Sequence, residues 1–80
     1  MMEFSEHQKL GKKLKDAHKH ILYTLALISS RYSKQSKQAV TAEQALKAIK
    51  ELKYIMDNVV GKEHPLVDDD NLSRCYFGDK

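Results

Sequence analysis

From Leu10 the apolar residues of the chain return at Leu14, Ala17, Ile21, Leu25 and Ile28, in steps of four, three, four, four and three. That rhythm lays one stripe on a helix of 3.6 residues per turn, and it stops near Arg31. Ahead of it, Ser5-Glu6-His7-Gln8 has the form of a capping box: the serine hydroxyl accepts from the amide three residues on, and the glutamine reaches back. The spacing predicts a first helix over about residues 5–31, roughly 26 residues and about 39 Å long.

A second stripe runs through Ala42, Ala45, Ile49, Leu52, Met56 and Val59 in the order 3-4-3-4-3, behind another capping box at Thr41-Ala42-Glu43-Gln44. Gly61, with Pro65 behind it, marks the end, so the second helix is expected over about 41–60. The polar stretch 33–40, SKQSKQAV, then connects two antiparallel helices as a hairpin. After Pro65 an acidic tract leads to Leu72, Tyr76 and Phe77. Residues 66–80 read as a tail, with one turn capped by Asp70 or Asn71, docking Leu66, Leu72 and Phe77 on the hairpin or on a neighbouring subunit.

Two helices bury only the stripe between them, and both carry apolar residues beyond it: Leu22, Ala26 and Leu27 on the first, Leu46, Ala48, Ile55 and Val60 on the second. At 80 residues, with a single cysteine, the chain builds a small core and no internal disulfide. The expected architecture is therefore all-α: one hairpin domain over 1–80 that assembles as a homo-oligomeric helical bundle, most simply a dimeric four-helix bundle. Leu22, Leu25, Ile28, Ile49, Leu52, Met56 and Val59 are the expected oligomer interface.

Charge sharpens this picture. The formal net charge is +3, but residues 1–40 hold eight Lys/Arg against three acids (+5), and residues 41–80 hold six against eight (−2). With Leu10, Ala17, Ile21 and Ile28 turned inward, Lys9, Lys12, Lys13, Lys19 and His20 fall on the opposite side of the first helix, and Tyr23 continues the strip. Arg31, Lys34 and Lys37 extend the positive potential to the connection. Lysines neutralise phosphates and an interleaved ring stacks on a base, so these nine residues are the candidate anion-binding set.

Other chemistry finds little support. His18 and His20 stand two apart and diverge on a helix, while Asp16 and His20 make a pair of ligands at most. Asp68-Asp69-Asp70-Asn71 lacks the alternation and central glycine of a calcium loop. Cys75 has no partner motif, and three scattered glycines make no phosphate loop. No catalytic residue, metal ligand or cofactor is expected, and the chain is read as a non-enzyme.

A basic helical hairpin that needs a second copy resembles, in architecture, the plasmid copy-number regulators that bind paired RNA loops on a four-helix bundle. It is likewise similar to short phage or plasmid hairpin proteins that sequester nucleotides between subunits. The resemblance implies a small regulatory protein and carries no functional position across. The expected function is binding of RNA, DNA or a nucleotide by the basic face of the first helix. The alternative is a protein-interaction or inhibitor module, taking an acidic protein or acting through the apolar surplus and the tail. The longest apolar run, 21–28, is far short of a membrane span, so no membrane partner and a cytoplasmic location are expected.

Overall fold

The computed structural model describes residues 1–78. Among them there is no strand, only three helices: α1 (Phe4–Arg31), α2 (Lys37–Glu63) and α3 (Asp69–Tyr76). His7 meets Glu63 and His18 meets Lys53, so contacts climb one long helix as they descend the other. The molecule measures 48 × 19 × 17 Å, with α3 packed against both long helices near one end.

All three helix starts differ from the sequence expectation, and packing explains the first two. In α1 the N-cap is Glu3, whose amide donates to Glu6 Oε1 at 2.9 Å, and Ser5 lies inside the first turn. Phe4 and His7 are drawn into the protein at that end, and the helix begins early enough to carry them. In α2 the cap is Ser36, whose Oγ accepts from the Ala39 amide at 3.3 Å. Ala39 and Ala42 are buried, so the turn before Thr41 is helical and the connection shrinks to residues 32–36. α2 runs through Gly61 to Glu63 and stops before Pro65, where the proline nitrogen offers no hydrogen to continue the ladder. In the expected tail, Asp68 caps α3 by accepting from the Asn71 amide at 2.8 Å, ahead of Asp70 and Asn71.

The core sits where the three helices meet. Val60, Cys75 and Tyr76 are buried there, flanked by Phe4, Leu10, Leu14, Met56 and Leu72. Met56, expected at an interface between subunits, packs inside its own chain. Of the tail residues expected to dock, Leu72 does so, Phe77 is 40% exposed and Leu66 is 99% exposed, while the deepest tail side chain, Tyr76, is not among them. Asp79 and Lys80, the end of the expected 66–80 tail, lie outside the described residues. Gly11 permits the docking: a Cβ on it would overlap the Cys75 carbonyl oxygen.

The buried side of α2 is Ala39, Ala42, Leu46, Lys53 and Val60, one position on from the expected 45-52-59 register. The other expected interface residues divide by exposure. Leu25, Ile28, Ile49 and Val59 are partly buried, and Leu22 and Leu52 are exposed. Near the connection, Ile21 and Ile28 with Ala42 and Ala45 line a shallow apolar cleft. No helix among the described residues is long and apolar enough to cross a membrane.

Candidate functional site

A groove of about 800 Å³ opens where α3 lies beside the middle of α1, and Lys53 of α2 reaches into it. Its walls carry Lys12, Lys15 and Lys19 from α1 and Arg74 from α3, against one acid, Asp16. The α1 lysines arrive together because positions 12, 15 and 19 are one helical turn apart and share a face. Lys15 is tied down by donating from Nζ to the Arg74 carbonyl at 2.9 Å. The C-terminal carbonyl end of α3 is thus neutralised by a lysine from α1.

Lys53 sets the character of the site. The residue is only 5% exposed, and its Nζ donates to His18 Nδ1 at 3.1 Å and stands 4.8 Å from the centre of the Phe77 ring. Among the described residues no carboxylate comes within ion-pair distance of it. Burial, and then the charges of Lys15 and Lys50, push the Lys53 pKa below the ordinary lysine value. His18 is pushed down as well, first by burial and then by Lys53 and Lys50, which keeps its Nδ1 an acceptor for the ammonium. Among the described residues this desolvated ammonium is thus short of negative charge, which an anion in the groove would supply. Phe77, 40% exposed and 5.0 Å from the Tyr54 ring, adds an aromatic edge at the rim.

Of the nine residues expected to bind an anion, Lys12 and Lys19 line this groove. Lys9, Lys13, His20 and Tyr23 are exposed on α1 outside its lining. Arg31 and Lys34 are exposed at the far end, and Lys37 borders the apolar cleft there. Lys15, Lys53 and Arg74 escaped the sequence reading. Lys53 did leave a signal: it stands seven residues after Leu46 and seven before Val60, a charged residue in a core register.

A second polar group closes the other end of the core. His7, fully buried, places Nδ1 2.7 Å from the Tyr76 hydroxyl and Nε2 2.8 Å from Glu63 Oε1. The bond from His7 holds the Glu63 carboxyl below its usual range, and burial pushes the Tyr76 phenol up to about 12. Cys75 is buried nearby with its thiol pKa raised by burial, which disfavours the nucleophilic thiolate. No protein family, curated protein or solved structure matches the chain.

Proposed function

We propose that this protein is a non-enzymatic, homo-oligomeric helical hairpin that binds a phosphate-bearing ligand, in the size class of a nucleotide, in the groove between α1 and α3. The observation that carries the reading is Lys53, a buried ammonium without a carboxylate partner among the described residues, facing a groove lined by four further cations. A concave site of about 800 Å³ suits a compact ligand better than an extended nucleic-acid backbone, which a convex strip of lysines would track. The phosphates sit against Lys12, Lys15, Lys19 and Arg74, and a base rests on the exposed edge of Phe77. Assembly covers the half-exposed Leu52 and the apolar cleft near the connection, and leaves Leu22 to the groove that it lines.

Titration calorimetry with a panel of nucleoside mono-, di- and triphosphates and a short RNA, at 50 and 200 mM salt, tests the proposal. The double variant Lys12→Glu, Lys19→Glu is expected to lose binding while helicity and oligomer mass stay unchanged. Binding weakens as salt rises, as expected when lysines exchange counterions for phosphates. Affinity that survives in the double variant refutes the site, and RNA binding without nucleotide binding refutes the ligand class.

The exposed apolar residues support a second reading, capture of a partner protein. Leu22, Leu27, Leu52 and Ile55 are each about half exposed. Deleting residues 66–80 would not separate this reading from the first, because the deletion takes Cys75 and Tyr76 out of the core. Changing Leu52 and Ile55 to polar residues does separate them, since both lie outside the groove lining.

A further inference from the structure

His7 stands 56 residues before Glu63, yet His7, Glu63 and His64 each offer a ligand atom within 4.8 Å of the others. The three join the first turn of α1 to the last residue of α2 and its C-cap. We infer that they form a divalent metal site of the zinc class, one that fastens the N-terminal segment to the end of α2. Two imidazole nitrogens and one carboxylate oxygen are the protein donor set of an open zinc site, with the remaining position left to water. Glu63 is partly exposed, so solvent reaches that position.

The geometry needs adjustment in both directions, since separations within the trio that reach up to 4.8 Å close by as much as about 1.5 Å around an ion. Ligand atoms about 2.0–2.2 Å from a tetrahedral zinc stand roughly 3.3 Å apart, and His7 Nε2 is 2.8 Å from Glu63 Oε1. The pair opens by about 0.5 Å to admit the ion. Both imidazoles already have the outer partners that orient metal-ligating histidines. His64 donates from Nε2 to the Met2 carbonyl at 2.7 Å, which leaves the Nδ1 lone pair for the ion. His7 has the Tyr76 hydroxyl on Nδ1 at 2.7 Å. That hydroxyl donates to Nδ1 while Nε2–H is bonded to Glu63, and accepts from Nδ1–H once Nε2 holds the metal. The site also lies at the C-terminal end of α2, where the exposed carbonyls favour positive charge.

The test uses the full chain stripped with a chelator and titrated with zinc chloride. One ion per chain is expected, together with a rise of about 11–22 °C in the thermal midpoint when zinc is about a hundredfold above its Kd. Glu63→Gln keeps a partner for His7 Nε2 but is a poor zinc ligand, and His64→Ala removes a donor outside the buried core. Each is expected to weaken zinc binding at least tenfold while the metal-free protein keeps its helical circular dichroism. Cobalt in place of zinc should give visible absorption without a thiolate-to-metal charge-transfer band. The inference is overturned if stripped protein shows no saturable zinc binding, if both variants bind as the parent does, or if the cobalt spectrum shows thiolate ligation by Cys75.

Discussion

Replacing Lys53 with methionine separates a binding group from a structural one. The two side chains are close in length, and methionine adapts to irregular gaps, so the substitution exchanges a charge for apolar packing without opening a cavity. Taking an ammonium out of water costs several kcal/mol even after relaxation, on the order of 2–4. The bond to His18 and the Phe77 ring each return about 1 kcal/mol or somewhat more. The balance leaves Lys53→Met between neutral and roughly 2 kcal/mol more stable than the parent. For a domain of this length each kcal/mol moves the thermal midpoint by about 4–8 °C. Thermal unfolding by circular dichroism should therefore show an unchanged or raised midpoint, while calorimetry shows nucleotide affinity lost. The pH profile provides a second check. Because the folded pKa of Lys53 is depressed, the unfolded chain binds more protons between that value and the ordinary 10.5, and parental stability rises with pH across that window. Lys53→Met should remove that rise. A midpoint lowered by more than about 5 °C would refute the reasoning, since it would mean the buried ammonium holds the fold together.

Two glycines inside helices should respond with opposite signs. Gly61 faces open space, so Gly61→Ala should stabilise the protein by about 0.5–1 kcal/mol in urea denaturation through helix propensity alone. Gly11→Ala should destabilise it by about 2–3 kcal/mol, because the added methyl meets the Cys75 backbone, which does not yield as a flexible side chain would. The sign at His18 is fixed by its depressed pKa: the unfolded chain takes up the proton first, so stability falls as pH drops below 6.5 and through the lower folded value. Urea midpoints at pH 7.5 and 5.5 should differ less in His18→Asn than in the parent.

The helical class was legible because the apolar steps of three and four hold through both long helices, and the end of α1 was readable at Arg31. The starts of α1 and α2 were not, because Ser5 and Thr41 satisfy the local capping pattern while burial of Phe4, His7, Ala39 and Ala42 extends each helix past it. α3 was underestimated for a related reason. Eight residues have weak helical preference on their own, and α3 stands on Tyr76 in the core and on the Cys75 backbone fitting the space that Gly11 leaves. In the anion set the lysines of α1 were visible as a basic strip, but a strip on one helix does not reveal which side a third helix will wall in. Arg74 reaches the groove only through that tertiary contact.

His7, His18 and Lys53 share a property that a search for motifs passes over. Each occupies an inward-facing turn of a long helix: His7 stands seven residues before Leu14, His18 four after Leu14, and Lys53 midway between Leu46 and Val60. Leucine at any of the three would enlarge the core of a chain that has little core to spare. His7 is nonetheless paired with Tyr76 and Glu63, and His18 gives Lys53 one hydrogen bond. A polar network in a small core costs stability relative to good apolar packing, which is the ground for seeking a benefit outside the fold. The two networks differ in what they lack. The one around Lys53 has excess positive charge and opens to a groove, which suits an anion. The one around His7 has an ionised carboxylate, imidazole lone pairs and the negative end of α2, which suits a cation. The two proposed sites thus have opposite charge preference, about ten residues or roughly 15 Å apart along α2, and their shared departure from apolar patterning is the argument for proposing function at both.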